Sequence, residues 1–279
     1  MDLTLLKAAA PSIPGINQLP GVRKTGGEFT GLTRTRQGVV VERAHAAAYA
    51  DVCGFPAKDT VALTYPHLLA FPLHMEVMTS QEFPFPAIGT VHVENSIISH
   101  RPVHPGETLD VSVSAGAPRV HAKGTVVDFD AEVRAGHEVV WESTSTYLRR
   151  GRGDESAAAG LELPGAPEPT TQWRLPADLG RRYAAVSGDA NPIHLYPLTA
   201  KVLGFPRQIA HGMWSLARVV AAVENRLPDA VRVDAAFKKP ILLPGTVGFG
   251  VDRDEAGLTL GLTNPKDGSP HLVARCTPA

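Results

Sequence analysis

The sequence has few of the features that would place it in a specialised class of proteins. Lys and Arg number 27 and Asp and Glu number 28, so no global field favours nucleic acid or an anionic membrane surface. No apolar run reaches the roughly 18 residues that a transmembrane helix needs. The start, residues 1–7, carries an acidic residue where a signal peptide would be basic. We therefore expect a cytoplasmic protein without a nucleic-acid partner and without membrane insertion.

Cysteine is scarce, and the two thiols, Cys53 and Cys276, lie in apolar stretches without a pairing pattern. We expect each to be a buried free thiol rather than part of a disulfide or a nucleophile. Histidine is more frequent. Five histidines considered as metal ligands lack the close, repeated spacing of a zinc site: His67, His74, His92, His100 and His104. The sequence predicts neither a metal nor another cofactor.

The apolar fraction, 43% of 279 residues, supports a substantial core, and the same plan occurs twice along the chain. Residues 49–55 mirror residues 183–189, and a helix-like stretch follows each, at 64–78 and at 211–227. Four strand-like segments then follow each helix. They span residues 88–100, 108–115, 125–134 and 138–148 in the first copy, and 230–238, 247–252, 258–262 and 271–276 in the second.

Both copies also place a proline and a glycine at the corner between their first two strands, at Pro102 with Gly106 and at Pro240 with Gly245. Repeated features in one order favour an internal duplication over chance. The region between the copies is rich in Gly, Ala, Pro, Glu and Ser without periodicity, which predicts a linker or an extended crossover rather than a packed element. We divide the chain into an N-terminal half (1–150), a linker (151–171) and a C-terminal half (172–279).

The most informative segment is SGDANPIH at residues 187–194. A regular helix would turn Asp189 and His194 in different directions, but Asn191 before Pro192 disfavours a helix. A turn could bring the carboxylate and the imidazole to one water. Their reference pKa values, about 4 and about 6.5, suit one group to stay charged and the other to exchange a proton near neutrality. In the first copy Phe55 stands at the position of the aspartate.

A second motif, His211-Gly212-Met213, opens the helix of the second copy. Helix starts offer unpaired N–H groups and partial positive charge, so the Gly212 amide is a candidate donor to a developing oxyanion. In the first copy His67 aligns with His211, but Leu68 replaces the glycine. The first copy has lost the acid, the base and the glycine, and we predict a structural or substrate-binding role for it.

These motifs resemble those of the MaoC-like dehydratases, the (R)-specific enoyl-thioester hydratase group, in their actinobacterial double-domain form. The specific match covers about residues 183–215, and the duplicated layout extends the likeness across most of the chain. Tyr196 departs from the pattern, because many relatives carry aspartate there, so its loop contacts should differ. The resemblance implies an α+β double hotdog. In each hotdog an antiparallel sheet wraps a long central helix, and the two sheets join side by side.

The resemblance also implies reversible hydration of a trans-2-enoyl thioester to a (3R)-3-hydroxyacyl thioester in fatty-acid metabolism. Asp189 and His194 would hold the water that attacks C3, and the Gly212 amide would bind the enolate oxygen. Asn191 and His211 are expected at the substrate, as residues that orient it or the loop. The carrier is coenzyme A or an acyl carrier protein, and the chain is expected to act alone or as a homodimer.

A carrier with phosphate groups needs positive charge near the mouth of an acyl tunnel. Lys238 and Lys239, before the second corner, are the candidates for that role, and Arg101 flanks the equivalent first corner. A further basic group lies just before the linker: Arg149, Arg150 and Arg152.

Two other functions are compatible with the same pattern. A hotdog thioesterase would hydrolyse the acyl thioester, and it would release free thiol without a hydroxyacyl product. A non-catalytic acyl-binding subunit of a dehydratase complex would bind the thioester without turnover. The intact acid/base pair of the second copy favours hydration over both.

Overall fold

The computed structural model describes residues 29–157 and 160–279. The N-terminal residues 1–7, on which the expectation of no signal peptide rests, lie outside the described residues. Within the described part of the chain, no helix combines the length and the apolar character that a membrane crossing requires. Cys53 and Cys276 are both buried free thiols, as predicted.

The N-terminal half contains the predicted helix and the four predicted strands, with bounds shifted by only a few residues. It also contains a first strand, a preceding helix and a three-residue strand that the sequence pattern did not indicate. In chain order the elements are β1 (Leu32–Val40), α1 (Arg43–Cys53), α2 (Pro66–Thr79), β2 (Thr90–Ser99), β3 (Thr108–Ala115), β4 (Arg119–His121), β5 (Gly124–Ala135) and β6 (Glu138–Arg150).

The C-terminal half repeats this plan, with one correction to its main helix. The helix was predicted to continue to residue 227, but it ends at Ala221 and a short 3₁₀ turn, Glu224–Arg226, follows. Leu227 is extended, as the residue before Pro228 should be. The elements are β7 (Thr171–Leu175), α3 (Leu179–Ser187), α4 (Pro192–Leu195), α5 (Pro197–Val202), α6 (Gly212–Ala221), β8 (Val231–Phe237), β9 (Gly245–Arg253), β10 (Leu258–Thr263) and β11 (Pro270–Pro278).

The strands form one continuous antiparallel sheet in the order β1-β3-β5-β6-β2-β8-β11-β10-β9-β7, with β4 paired to β5. The two halves join where β2 pairs with β8, and there Ser96 lies opposite Asp234 and donates a hydrogen bond to it at 2.5 Å. These residues are 138 positions apart, the same separation as Pro102 and Pro240. Equivalent strands and equivalent positions of the two halves therefore pair with each other at the junction, as an approximate twofold axis between the halves requires.

Two buried helices lie against this sheet. Helix α2 contacts β1, β3 and β5, and helix α6 contacts β10 and β11. Helices α1 and α3 contact each other, and the mirrored residues Tyr49 and Tyr183 meet there with ring centroids 6.2 Å apart. Phe55, in the place of Asp189, is buried and stacks on Tyr49 at 6.3 Å. In the first half an apolar contact thus occupies the position of the acid.

The described part of the linker is extended, as predicted, but it is also packed. Residues 160–169 form neither helix nor strand, yet Pro167 is buried and lies against Gly250 of β9 and Gly261 of β10, where a Cβ atom would collide with it. The Glu94 carboxylate accepts a hydrogen bond from the Leu161 amide at 2.9 Å. The expectation that this segment is not packed was therefore wrong, because glycines in two strands leave room for it.

Candidate active site

The acid lies on a tight turn that follows helix α3. Gly188 ends the helix in the left-handed region, with φ of 74°, a conformation that glycine adopts without strain. The amide of Asp189 then donates to the hydroxyl of Ser187 at 3.1 Å. The Asp189 carboxylate accepts from the amide of Asn191 at 3.2 Å. These short-range bonds hold the carboxylate at the surface of a cavity, with about 30% of the side chain exposed.

The base lies on a short helix that the sequence pattern did not predict. Asn191 is extended, as expected before a proline, but α4 begins directly after it with Pro192 as its first residue. Proline suits this position, because the first helical N–H needs no partner. The Asn191 side chain accepts from the Ile193 amide at 3.3 Å and caps the helix. Its visible role is therefore to shape the loop that presents His194.

The buried imidazole of His194 has a defined tautomer. Its Nδ1 atom lies 2.8 Å from the carbonyl oxygen of Ile209, and a carbonyl only accepts, so Nδ1 carries a proton. In the neutral ring Nε2 is then the free base. Burial lowers the pKa of His194, and the charge of Asp189 and the bond to Ile209 oppose this effect. The ring is therefore neutral near pH 7 and ready to accept a proton.

The carboxylate and the imidazole converge, as the sequence motif predicts. Three side-chain atoms lie within 4.8 Å of one another: a carboxylate oxygen of Asp189 and one ring nitrogen each of His194 and His211. A water that makes two hydrogen bonds of about 2.8 Å in a tetrahedral arrangement joins groups about 4.6 Å apart. The spacing allows the carboxylate and the imidazole to share one water.

His211 supports this arrangement from behind. It is the residue that precedes α6, and its Nε2 donates to the backbone carbonyl of Asp189 at 2.9 Å. Its ring stacks on that of His194 with centroids 3.7 Å apart. Burial holds the pKa of His211 well below the usual range. The Nε2 atom of His211 is thereby committed to the loop backbone, and the Asp189 carboxylate and the His194 imidazole remain to hold a water between them.

Gly212 is the first residue of α6, where the backbone N–H has no partner within the helix. A Cβ atom at this position would lie 3.2 Å from ring carbons of Phe237, which is tighter than ordinary contact. Any larger residue would press on a side chain that lines the cavity. The glycine therefore places a free amide close to the acid/base pair without crowding the wall.

Asp189, Asn191, His194, His211 and Gly212 all line one cavity of about 330 Å³, to which both halves of the chain contribute. The C-terminal half supplies the acid/base pair. The N-terminal half supplies a wall that the motifs did not indicate. The apolar part of that wall consists of Leu68, Phe71, Met75 and Met78 of α2, and its polar part includes His67, His92 and Tyr147.

Basic side chains from both halves also line the cavity. Lys238 and Lys239 do so, and both are exposed. Lys123 and Arg150 of the N-terminal half line the cavity as well. Arg101 does not belong here, because Glu107 and Glu138 bind its guanidinium at 2.8 Å and 3.2 Å. Of the remaining candidates, Arg149 donates to the carbonyl of Ile88, and neither Arg149 nor Arg152 lines the cavity.

Comparison with known proteins agrees with this site. The family described as "MaoC like domain" matches residues 162–256, which include the acid/base loop and the start of α6. The 3-hydroxyacyl-thioester dehydratase X of Mycobacterium tuberculosis is 40% identical over 276 residues, which span 97% of this chain and 95% of the relative. The chain belongs to the MaoC-like dehydratase family.

Solved structures of this family share the fold. The crystal structure of HtdX from Mycobacterium tuberculosis aligns with a TM-score of 0.80 at 40% identity and covers 89% of this chain and all of that one. A MaoC-like dehydratase from Phytophthora capsici aligns with a TM-score of 0.71 at 19% identity, over 92% of this chain and 97% of that one. The latter likeness concerns the fold alone. The large antiparallel sheet and the few helices are therefore those of a MaoC-like hotdog protein.

For this MaoC-like dehydratase, sequence motifs located the chemistry but missed much of the cavity wall. The sequence named His67 only as the counterpart of His211 and as one of the histidines without zinc-site spacing, and His92 only as one of those histidines. It named Arg150 only within a basic group before the linker, and Lys123 lies outside any motif. A signal was present for the helix wall, because His67, Phe71, Met75 and Met78 recur at helical spacing on one face. Apolar residues on the other faces of α2 hid that signal.

Proposed function

We propose that this protein catalyses the reversible hydration of trans-2-enoyl thioesters to (3R)-3-hydroxyacyl thioesters in fatty-acid metabolism. The observation that carries the proposal is the spacing of the Asp189 carboxylate and the His194 imidazole, within 4.8 Å of each other on the wall of a cavity shared by both halves. The relative from Mycobacterium tuberculosis is named a 3-hydroxyacyl-thioester dehydratase. A 106-residue stretch is also 35% identical to part of the fatty acid synthase subunit beta of Saccharomyces cerevisiae.

The proposed mechanism follows from a charged Asp189 carboxylate and a neutral His194 imidazole. The Asp189 carboxylate orients a water, and His194 Nε2 removes its proton as the oxygen attacks C3. The C2–C3 π electrons move onto the thioester, and the Gly212 amide donates to the enolate oxygen that forms. A preorganised donor of this kind contributes about 3–4 kcal/mol of transition-state stabilisation. The protonated His194 then delivers its proton to C2 on the same face, which gives syn addition, and dehydration reverses these steps.

We assign different tasks to the two halves. Residues 172–279 act as the catalytic hotdog, residues 1–150 as a non-catalytic hotdog that forms part of the acyl tunnel, and residues 151–171 as the linker. The contacts of α2 with β1, β3 and β5 and of α6 with β10 and β11 support a central helix in each half, wrapped by that half's part of the sheet. The absence of an acid at Phe55 supports a single centre per chain.

The carrier binds at the basic end of the cavity. Lys238 and Lys239 of the C-terminal half and Lys123 and Arg150 of the N-terminal half can attract a phosphate-bearing carrier. Coenzyme A carries several phosphates, whereas the phosphopantetheine of an acyl carrier protein carries one. Separate assays with coenzyme A and carrier-protein thioesters of the same acyl chain would rank the two.

The test is turnover of crotonyl-CoA and longer trans-2-enoyl-CoA substrates up to C16 by the purified protein. We expect loss of the enoyl absorbance and formation of the (3R)-3-hydroxyacyl product, without release of thiol. Thiol release without the hydroxyacyl product would instead favour the thioesterase. Binding without turnover that a partner protein restores would favour the acyl-binding subunit.

A further inference from the structure

Four polar rings of the N-terminal half lie together near the acid/base pair, three of them buried and that of His92 half-buried. His67 and His74 come from α2, His92 from β2 and Tyr147 from β6. His92 stacks on Tyr147 with centroids 4.6 Å apart, and His67 lies 6.2 Å from His92 and 5.5 Å from His74. None of these rings has a task in the hydration mechanism.

The polar atoms of this cluster are only partly paired within the chain. His67 Nδ1, His74 Nε2 and His92 Nε2 are buried, and no hydrogen-bond partner for them exists among the residues that the structure describes. Each buried polar atom without a partner costs about 1–3 kcal/mol. Phenylalanine would fill similar space without that cost. Packing alone does not explain three histidines here, and local departures of this kind concentrate at functional sites.

Three of the four rings line the cavity: His67, His92 and Tyr147. We call these three residues the polar wall, and His74 lies behind it, where its Nδ1 is 3.2 Å from the Tyr147 hydroxyl. The charge of Asp189 acts on both His67 and Tyr147. The polar wall therefore lines the same cavity as the acid/base pair, where it can meet the carbons that follow C3 of a bound acyl chain.

Farther along α2 the cavity wall becomes apolar. Phe71, Met75 and Met78 follow His67 on the same face of the helix and line the cavity. From residue 67 to residue 78 the helix axis advances about 16 Å. A chain that lies along this face passes polar groups first and apolar groups afterwards.

The polar wall is uncharged near neutral pH. Burial lowers the pKa of His67 to about 4 and that of His92 to about 3, so each ring offers one donor and one acceptor. A carboxylate on the substrate would lose its hydration here and would be repelled by the neighbouring Asp189. A hydroxyl or a carbonyl could exchange hydrogen bonds with the polar side chains that line this part of the cavity without that penalty.

We propose that His67, His92 and Tyr147 form a substrate subsite that recognises an uncharged oxygen, a hydroxyl or a carbonyl, on the acyl chain within a few carbons beyond C3. The substrate class is then an oxygenated enoyl thioester rather than a plain alkyl one. This subsite deepens the proposed hydration function and rests on it.

The test compares two substrates of equal length, trans-2-hexenoyl-CoA and trans-5-hydroxy-2-hexenoyl-CoA. We expect the wild type to prefer the hydroxylated substrate by about tenfold in kcat/KM, which corresponds to about 1.4 kcal/mol. His67→Phe and His92→Phe should each reduce this preference at least fivefold. Tyr147→Phe keeps the ring packing, removes only the hydroxyl and should act in the same direction.

Phe71→Leu is the control, because it alters the packing of the same cavity wall without removing a polar group, and it should keep the preference within twofold of wild type. A wild-type preference near one, or one that survives His67→Phe, His92→Phe and Tyr147→Phe, would overturn the subsite while hydration stands. If the wild type hydrates neither substrate, the proposed function fails. Calorimetry with hexanoyl-CoA and 5-hydroxyhexanoyl-CoA then decides the subsite, and equal affinities would overturn it.

Discussion

The Nδ1 atom of His194 lies 2.8 Å from the carbonyl oxygen of Ile209, and this contact determines which ring nitrogen acts as the base. The amide of Ile209 in turn donates to the carbonyl of Ile193 at 3.0 Å. Ile209 thus binds the backbone of α4 and the ring that α4 presents. The imidazole is held in one tautomer and one orientation, with Nε2 free for the shared water.

The rate of hydration should depend on pH through His194. Because burial lowers the pKa of this ring, its neutral form persists below the ordinary histidine value of about 6.5. We expect kcat/KM for hydration of crotonyl-CoA to be constant from pH 8 to pH 6.5 and to fall only below that. In Asp189→Asn the residual activity should begin to fall at a still lower pH, because the carboxylate charge that raises the pKa of His194 is gone. A fall that begins between pH 8 and 7 would contradict this assignment.

The amide of Gly212 can be removed with little effect on the helix. Proline is favoured at the first helical position, and the preceding residue, His211, is extended with ψ of 140°, as a residue before proline should be. We expect Gly212→Pro to lower kcat by about 10²–10³ relative to Gly212→Ala, the loss typical of one oxyanion donor.

Gly212→Ala is the matched control, because it introduces the same Cβ against Phe237 but keeps the N–H group. Its own effect should be smaller, and Phe237→Leu should relieve it in part. Equal kcat values for the alanine and proline variants, measured on crotonyl-CoA with folding checked by circular dichroism, would exclude the amide as the donor.

The lysines at the cavity mouth should affect binding of the carrier rather than chemistry. The double variant Lys238→Gln with Lys239→Gln should raise KM for crotonyl-CoA by about tenfold and leave kcat within twofold. The effect should shrink as salt is added, because exposed charges are screened. The crotonyl thioester of N-acetylcysteamine has no phosphates, and its kcat/KM should not change. An unchanged KM for the coenzyme A substrate at low salt would remove both lysines from the site.

Buried neutral histidines should make the fold sensitive to acid. The pKa of His67 is about 4 in the folded chain and about 6.5 when unfolded, so the unfolded state binds the extra proton between these values. The free energy of unfolding therefore rises with pH between about 4 and about 6.5, and His67 does not lower it above that range. Between pH 7 and pH 5 this residue alone should cost about 2 kcal/mol of unfolding free energy.

His67→Phe should reduce the loss of unfolding free energy between pH 7 and pH 5 by about 2 kcal/mol, as measured by urea denaturation at both pH values. Phe71→Leu, one turn farther along the same wall of α2, alters packing without removing a titratable group and should keep the wild-type dependence. An identical pH dependence in His67→Phe and wild type would show that the ring is not buried as a neutral group.

Much of the fold followed from local patterns, because strands and corners have short-range signatures. The strand Thr108–Ala115 has the bounds predicted from alternation, and the two proline corners lie, as predicted, in the connections from β2 to β3 and from β8 to β9. The helix at α4 was missed because Asn191-Pro192 reads equally as a turn and as a capped helix start, and a four-residue helix has no periodicity to separate the two. The packing of Pro167 was missed because it depends on glycines in strands distant along the chain.

The candidate site also has one part that local motifs predicted and one part that depends on long-range packing. Asp189, His194 and Gly212 belong to two motifs close together in the sequence, whose residue types indicate their chemical roles. His67 and His92 reach the same cavity only because α2 and β2 of the other half lie against it. That contact depends on the pairing of β2 with β8, a long-range relationship that no local pattern in the sequence encodes.

The most direct measurement is the steady-state hydration of crotonyl-CoA by Asp189→Asn and by His194→Ala beside the wild type, with folding confirmed by thermal denaturation. Both substitutions remove one of the two groups that share the water, and neither adds volume. The account predicts a loss of at least 10³-fold in kcat/KM for each. Turnover within tenfold of wild type by either folded variant would contradict it.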